Sequence, residues 1–297
     1  MKATVCIPVH NEEKNISSII QNILDQKISG VNLNIFVISS GSTDNTNEIV
    51  RRLCQSSYPV NLTIESQRSG KANAINLALP FLRESETDVC IFTDGDVYLD
   101  KNALKCILER FNQGDELSVI TGHPIVSDTM KNGVWKKIAV ENCSIWDEVR
   151  KTQANELATW ALSGYLFAIK TKDLPEKIPV KLAAEDAFLG ISLLLSGKKM
   201  EYESNALVYV KYPSNIRDYY RQKSRTRSGW AQIFKFAPEQ MKSLRSLQRQ
   251  VIFSRIYQGN YVSFLCFILD NLIWFLDHLF TRNNSNRHIW QSADSTK

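Results

Sequence analysis

The sequence predicts a doubly wound α/β fold, in which helices cover both faces of a mostly parallel sheet. Two observations predict it. Four short apolar runs rich in β-branched residues lie in the first third of the chain, and each is followed by a segment with helical periodicity. The runs are mostly continuous, which is typical of strands buried on both faces. The regular alternation of strand and helix favours a parallel sheet.

The predicted elements follow one another in a regular order. ATVCIPV precedes a helix with isoleucines on one face, LNIFVIS precedes a helix that opens near Thr43, NLTIES precedes one from Lys71, and DVCIFTD precedes one from Asp100. In the second half, TWALSGYLFAIK is predicted as a strand or hairpin. AAEDAFLGISLLLSG is predicted as a helix that Gly197 ends, and residues 214–234 as a basic helix.

The composition is that of an ordinary globular protein, with 297 residues, 43% of them hydrophobic and 23% charged. The six cysteines are scattered without a C-x-x-C spacing, which argues against a disulfide framework or a zinc site and favours a reducing compartment. The first predicted strand begins directly after Met1 and Lys2, so we expect no signal peptide. The predicted location is therefore the cytoplasm.

Positive charge is concentrated in one segment. The chain carries a net charge of +5, but residues 211–255 contain eleven Lys or Arg and two acids, Asp218 and Glu239, a local balance of +9. Such a segment attracts nucleic acid, an anionic membrane surface or a phosphorylated substrate, and charge alone does not choose among them. A nucleic-acid-binding protein is therefore one rival interpretation, although no recognition module is present and the basic residues adjoin an apolar helix.

The most apolar stretch is NYVSFLCFILDNLIWFLDHLF, after Gly259. Because it contains Asp270, Asp277 and His278, a lone transmembrane helix there would be energetically costly. On a 3.6-residue period it has a wide apolar face opposite the two aspartates. This pattern suits a helix in the membrane interface or docked on a partner, and the alternative is a terminal helix that covers the core. The apolar face consists of Tyr261, Phe264, Leu265, Ile268, Leu272, Phe275, Leu276 and Leu279.

Polar loops follow each of the first four predicted strands, where open α/β sheets bind ligands. Asp94 and Asp96 follow the fourth strand, and on an extended backbone residues two apart face the same side. Gly95 between them would let a ligand approach the main chain. Two carboxylates suit Mg²⁺ or Mn²⁺, which completes its shell with water and phosphate oxygens. We therefore expect a divalent metal that carries a diphosphate.

Six short motifs follow one another along the chain. They are CIPVHNEEKNI, SSGSTDNT, SGKANAIN, DGD, LSGYLFAI and AEDAFLG. In this order they resemble the motifs of the family 2 inverting glycosyltransferases with the GT-A fold, and the resemblance covers about residues 3–230. It implies a fold with a mostly parallel sheet and transfer of a sugar from a nucleoside-diphosphate sugar to a hydroxyl acceptor.

The resemblance also implies site residues. Asp186, preceded by Glu185, would be the catalytic base, and Asp94 and Asp96 would hold the metal. Thr226 stands where processive relatives have a tryptophan, and Trp230 follows one helical turn later on the same face. The residues implied to bind the nucleotide sugar are Pro8, Asn11, Glu12, Ser40, Arg68, Lys71, Asp94 and Gly95. Those implied on the acceptor side are Gly164, Gln222, Arg225 and Trp230.

The implied donor is a UDP-sugar. A GDP-sugar stays an alternative, because Ser39 and Ser40 stand where the family usually has an acidic pair that contacts the base. The acceptor would be a glycan or a lipid-linked sugar, and the enzyme would be peripheral on the cytoplasmic face of an anionic membrane. A sugar-nucleotide binder without catalytic activity is a second rival, although the three key aspartates are all present.

We expect a glycosyltransferase domain over residues 1–235, with a nucleotide-binding half at 1–115 and an acceptor half at 116–235. A basic and apolar helical extension would occupy residues 236–282, and a polar tail residues 283–297.

Overall fold

The computed structural model describes residues 1–26, 28–56, 58–114, 116–155 and 161–280, so the predicted polar tail at 283–297 lies outside the described residues. Within them the chain forms one mixed, mostly parallel sheet of eight strands, in the order β3-β2-β1-β4-β7-β6-β8-β5. The strands are β1 (Lys2–Val9), β2 (Asn32–Ser40), β3 (Val60–Glu65), β4 (Val89–Thr93), β5 (Tyr98–Leu99), β6 (Leu117–Val126), β7 (Leu166–Lys170) and β8 (Lys199–Val210).

The first four strands confirm the sequence-based prediction. β1 pairs in parallel with β2 on one side and with β4 on the other, and β2 pairs in parallel with β3. Their carboxyl ends therefore meet at one edge of the sheet, which we call the rim. Nearly all residues of β1 and β4 are buried, as expected for strands covered on both faces.

Helices cover both faces of the sheet, which confirms the doubly wound arrangement. One hydrophobic core lies between the sheet and α1, α2 and α4, and the other lies between the sheet and α3, α5 and α6. The helices are α1 (Ile16–Leu24), α2 (Thr46–Cys54), α3 (Lys71–Glu84), α4 (Ala103–Asn112), α5 (Val134–Asn155), α6 (Glu185–Leu195), α7 (Ile216–Phe236), α8 (Pro238–Tyr257) and α9 (Tyr261–Phe280).

The second half departs from the prediction in three elements. Sequence patterns did not identify β6, β8 or α5. β7 is antiparallel to both β4 and β6, while β6 and β8 pair in parallel. Because β4 pairs with β7, the sheet runs without interruption through both predicted halves, and the division at residue 115 stays a prediction.

The C-terminal helix α9 packs with its polar side inward. Asp270 accepts hydrogen bonds from Tyr219 (2.9 Å) and Lys223 (3.0 Å), both on α7. Asp277 is 6% exposed and accepts one from Ser224 (2.7 Å). The aspartates therefore fix the helix to the protein instead of facing water.

Most of the predicted apolar face of α9 points outward as a result, whereas Leu265 packs against a buried cluster. The side chains that are between 44% and 66% exposed are Tyr261, Phe264, Ile268, Leu272, Trp274, Phe275 and Leu279. We call these seven residues the α9 apolar face. This face does not cover the core, because the buried polar contacts orient it outward. The opposite side of α9 does pack on the fold, where Cys266 and Ile273 are buried in a cluster with residues of α5 and α7, as the alternative of a terminal helix on the core expects. No helix in the described part of the chain is long and apolar enough to cross a membrane.

Candidate active site

The loops at the rim enclose a small recess, which we call the rim recess. It lies where β1, β2 and β4 end and where α3 begins. Eight of the residues that the sequence singled out line it. They are Pro8, Glu12, Ser40, Arg68, Lys71, Asp94, Gly95 and Asp96.

The acidic pair lies in a turn, so the extended-strand argument for it is wrong. β4 ends at Thr93, and residues 94–97 leave the sheet. Asp94 and Asp96 nevertheless reach the same recess. The space beside Gly95 is filled by Val9 of β1 and is not open space for a ligand, because a Cβ built on Gly95 would lie 2.7 Å from Cγ1 of Val9. Glycine is thus required here for the close approach of the turn to β1.

The acidic pair has too much negative charge for its surroundings. Burial, together with the charges of Asp94 and Glu12, raises the pKa of Asp96 to about 7. Among the described residues no group of three or more His, Cys, Asp and Glu is arranged to hold a metal. The buried carboxylate of Asp94 and the partly exposed one of Asp96 still fit a Mg²⁺ or Mn²⁺ ion that takes its other ligands from water and a diphosphate.

Lys71 connects the rim recess to the acceptor side. It is the first residue of α3 and donates to Asp94 (2.6 Å) and to the carbonyl of Gly164 (3.0 Å). Its Nζ lies 3.4 Å from Oε1 of Glu185. Burial lowers the pKa of Lys71, but Asp94 and Glu185 more than offset this effect, so its pKa lies above the usual value. This lysine is therefore a fixed positive charge between two carboxylates.

Two arginines, Arg68 and Arg225, lie close enough for their charges to interact. Burial lowers the pKa of Arg68, and the charge of Arg225 lowers it further. Arg68 lines the rim recess and Arg225 lines the neighbouring cavity. Like charges held close together favour an anion between them.

Asn11 does not line the rim recess. Its backbone has a positive φ of 53°, and its side chain accepts a hydrogen bond from the backbone of Thr43 (2.8 Å). Its own backbone N–H donates to Ser42 (3.1 Å). Asn11 thus connects the loop after β1 to the loop after β2. It was predicted to line the nucleotide pocket, but it is not one of the residues that line the rim recess.

Glu65 is a residue that the sequence analysis missed. It ends β3 and accepts hydrogen bonds from Ser40 (2.5 Å) and from Asn73 (2.6 Å). A carboxylate therefore lies beside Ser40, at the place where the resemblance implies an acid. The parallel register pairs Ser40 with Glu65. The only sequence signal was an acid at the end of a predicted strand.

A larger cavity of about 260 Å³ adjoins the recess, and we call it the deep cavity. Lys71 and Asp94 line both spaces, so the recess and the cavity adjoin at these two side chains. All predicted catalytic and acceptor-side residues line the deep cavity. They are Gly164, Glu185, Asp186, Gln222, Arg225 and Trp230.

The two acids at the start of α6 have different environments. Glu185 is 8% exposed, and burial raises its pKa against the opposing charge of Lys71. Asp186 is more accessible and accepts a hydrogen bond from the backbone of Ala187 (2.8 Å). A Cβ built on Gly164 would lie 2.8 Å from Oδ2 of Asp186. The glycine therefore leaves room for this carboxylate at the cavity wall.

Gly229 sets the distance between α7 and the start of α6. A Cβ built on it would lie 2.5 Å from Cβ of Ala184, which directly precedes Glu185. The close approach brings Gln222, Arg225 and Trp230 to the same cavity as Asp186. Trp230 packs edge to face on Trp146, with ring centroids 5.5 Å apart.

Comparison with known families identifies the chain. The model of Glycosyl transferase family 2 matches residues 4–172, more than half of the sequence. The chain belongs to glycosyl transferase family 2. A second model, Glycosyl transferase family group 2, matches residues 90–283 and so extends over α9. The predicted family is confirmed.

Curated relatives of this family 2 chain are polysaccharide synthases. It is 25% identical over 233 residues to the poly-β-1,6-N-acetyl-D-glucosamine synthase of Staphylococcus aureus strain COL, a match over 77% of this chain and 53% of the relative. The match to the enzyme of the same name from Staphylococcus epidermidis is 25% over 226 residues, covering 75% and 52%. The chain spans about half the length of these relatives.

Solved structures share the GT-A fold with this family 2 chain. Mannosyltransferase PcManGT from Pyrobaculum calidifontis, in complex with GDP-Man and Mn²⁺, has a TM-score of 0.70 at 17% identity, covering 95% of this chain and 88% of that one. Glucosyl-3-phosphoglycerate synthase from Mycobacterium tuberculosis, with Mn²⁺ and UDP, has 0.55 at 17%, covering 79% of each. S. aureus TarS with UDP-GlcNAc has 0.54 at 18%, covering 79% and 67%.

Proposed function

We propose that this family 2 enzyme transfers a sugar from a nucleoside-diphosphate sugar to a hydroxyl group of a glycan or lipid-linked acceptor, with inversion at the sugar carbon. One observation carries the proposal. The rim recess with its acidic pair and the deep cavity with Asp186 adjoin at Lys71 and Asp94, which line both. A donor in the recess and an acceptor in the cavity would therefore meet at this junction.

The residues at the junction suit the departure of a diphosphate. Arg68, Lys71 and Arg225 supply positive charge that is already in position as negative charge develops on the leaving group. A divalent cation at Asp94 and Asp96 would offset further charge on that group when bound. The raised pKa of Asp96 indicates a carboxylate that needs such a counterion.

The acceptor needs a base, and Asp186 is the best candidate. It lines the deep cavity and has partial access to it, whereas Glu185 lies deeper and beside Lys71. A carboxylate at this position would take the proton of the acceptor hydroxyl as the new bond forms. Glu185 would hold Lys71 in place and so act as a positioning residue.

We favour a UDP-sugar donor and a surface or lipid-linked glycan as acceptor. The curated relatives are named as synthases of an N-acetylglucosamine polymer, and TarS was solved with UDP-GlcNAc. A GDP-sugar is the alternative, since PcManGT was solved with GDP-Man. The nucleic-acid interpretation is weakened, because Lys223, Arg227 and Arg255 of the basic segment pair with carboxylates inside the fold.

Calorimetric titration of the full chain with UDP and GDP, each with and without Mn²⁺, tests the donor assignment. We expect one nucleotide, UDP, to bind, and Mn²⁺ to tighten its binding. In Asp94→Asn, the affinity for the nucleotide in the presence of Mn²⁺ should fall about tenfold or more, because one of the two charged metal ligands is lost. Asp128→Asn, at an exposed site away from the recess, is the matched control. No binding of either nucleotide would contradict the proposal.

We also propose that the enzyme docks on the cytoplasmic face of an anionic membrane through the α9 apolar face. The surface continues onto α8, where half-exposed Phe253 packs against Phe267 of α9. Arg249 lies four residues before Phe253, and Lys242 lies seven residues before Arg249, so both exposed cations share the helix face of Phe253. Apolar side chains flanked by cations are typical of helices that bind anionic lipid.

Vesicle sedimentation tests this docking. The wild-type chain should bind vesicles that contain phosphatidylglycerol and bind phosphatidylcholine vesicles less. The double variant Phe264→Ser/Leu272→Ser should lose most of the binding, because two exposed apolar side chains are removed from the face. Leu195→Ser changes an equally exposed leucine on α6 and should bind like the wild type. Equal binding by the double variant, or a stable dimer that buries this face in gel filtration, would overturn the docking.

A further inference from the structure

The wall of the deep cavity contains a buried cation that the proposed chemistry does not use. Arg150 lies on α5 and is 6% exposed. Its Nε donates to the carbonyl of Ala161 (2.9 Å), but its Nη1 has no hydrogen-bond partner within the described chain. No carboxylate among the described residues lies within ion-pair distance of it. A buried guanidinium in this state is destabilising unless an anion reaches it.

The neighbours of Arg150 do not remove this cost. Its guanidinium lies over the ring of Trp146, 5.6 Å from the centroid. Such a cation–π contact is weaker than the penalty for removing an unpaired ion from water. Burial lowers the pKa of Arg150, and Asp186 is among the charges that oppose this shift. An arginine nevertheless stays charged in proteins, so the need for a counterion remains.

A second polar group lines the same cavity without a partner. Ser163 is 2% exposed and its Oγ makes no hydrogen bond within the described chain, although its backbone N–H donates to Thr121 (2.8 Å). Arg150 lies near Ser163 in the chain fold, because its Nε donates to the carbonyl of Ala161, two residues before Ser163. Buried polar atoms of this kind are rare in native proteins, and each indicates a missing ligand or water.

The position of these groups matters, because Asp186 lines the same cavity. Trp146 and Trp230 form an aromatic wall in it, and aromatic rings pack well on the apolar face of a sugar. A molecule that fills the cavity can present a hydroxyl to Asp186 and an anionic group to Arg150 at the same time.

We propose that Arg150 and Ser163 bind an oxyanion of the acceptor, a carboxylate or a phosphate, so that the acceptor class is an acidic or phosphorylated sugar. A guanidinium binds two oxygens of either group through parallel hydrogen bonds, and the serine hydroxyl donates a third. The inference rests on the proposed function in calling the bound molecule the acceptor. The anion site itself does not depend on that assignment.

Binding of three small probes to the full chain tests the subsite. The probes are inorganic phosphate, methyl β-D-glucuronate and the neutral methyl β-D-glucoside, followed by tryptophan fluorescence and calorimetry. Saturating nucleoside diphosphate with Mn²⁺ is added so that phosphate does not occupy the diphosphate position. We expect at least one anionic probe to bind. The affinity of the neutral glucoside should be lower by about tenfold or more. If phosphate binds more tightly than the glucuronate, the anionic group of the acceptor is a phosphate. If the glucuronate binds more tightly, it is a carboxylate.

Variants decide whether Arg150 is responsible. Arg150→Met should weaken the anionic probe about tenfold to a hundredfold, the range for a hydrogen bond to a charged group. Without ligand it should melt at the same or a higher temperature, because an unpaired buried charge is removed. Arg150→Lys retains the charge but not the fork, and it should also bind the anion more weakly. Arg51→Met, at an exposed site on α2, is the control and should bind like the wild type.

The outcomes separate the two proposals. Anion affinity that is the same in wild type, Arg150→Met and Arg150→Lys, or no anion binding at all, overturns the subsite. Arg150-dependent anion binding in a chain that binds no nucleotide contradicts the donor assignment and leaves the subsite intact. Nucleotide binding without Arg150-dependent anion binding overturns the subsite and leaves the donor assignment intact.

Discussion

Asp186→Asn is expected to lower the rate of sugar transfer about 10²- to 10⁴-fold, the usual contribution of a positioned general base. An asparagine has nearly the same shape and keeps an oxygen that can accept the hydrogen bond from the backbone of Ala187. It cannot take a proton from the acceptor. The loss should therefore appear in kcat, while the nucleotide affinity measured by calorimetry stays within about twofold of the wild type.

The control for this variant is Asp128→Asn, which makes the same chemical change at an exposed position. Its rate should equal that of the wild type. Turnover by Asp186→Asn at the wild-type rate would exclude Asp186 as the base. Lost nucleotide binding in the same variant would instead indicate that Asp186 belongs to the nucleotide site, which would also contradict the proposed role.

Lys71→Met is expected to reduce the free energy of unfolding by about 3–5 kcal/mol, the range for removal of one partner from a buried ion pair. The side chain of Lys71 is 16% exposed, and those of Asp94 and Glu185 are 11% and 10% exposed. Without the lysine, two buried carboxylates lose their counterion. Nucleotide binding should weaken as well, since Lys71 lies at the junction of the recess and the cavity.

The pH dependence gives this prediction a second measurement. The pKa of Glu185 is already raised by burial, and loss of the opposing lysine raises it further. A raised carboxyl pKa contributes stability that is present at low pH and lost as the pH rises through the folded value. Urea unfolding should therefore show a larger defect of Lys71→Met at pH 8 than at pH 5.

Lys105→Met provides the control, because Lys105 forms an exposed pair with Glu109 at 3.8 Å. Such surface pairs contribute little to stability. A Lys71→Met chain as stable as this control at pH 8 would show that the buried carboxylates find another counterion, and the central position given to Lys71 would be wrong.

The first half of the fold could be predicted from sequence because its signals are local. A strand buried on both faces is a continuous apolar run, and each helix repeats its apolar residues every three or four positions. The loops after β1, β2, β3 and β4 converge because the carboxyl ends of parallel strands share one edge. The pairing of Lys71 with Asp94, 23 residues apart, follows from that geometry.

Other features depended on contacts between distant parts of the chain. β8 pairs with β6, more than 70 residues earlier, and its first half lacks a regular alternation of buried and exposed residues, so its place in the sheet depended on a distant partner. The side chain of Asn11 is taken up by Thr43. Glu65 lies beside Ser40 through the register of β2 and β3. A motif predicts which residue types come together, but it does not predict which of their side chains are already hydrogen-bonded to another loop.

Sequence by itself determined the fold class, the family and the acidic residues that gather at the rim, because strand and helix periodicity and the order of the motifs are properties of short segments. Only the tertiary structure decided that α9 turns its apolar face outward and that Nη1 of Arg150, in the wall of the deep cavity, has no hydrogen-bond partner among the described residues. Periodicity shows which residues share a face. The partners that bury one face of α9, Tyr219 and Lys223, lie about 50 residues away in sequence, and the energy of those contacts fixes the orientation.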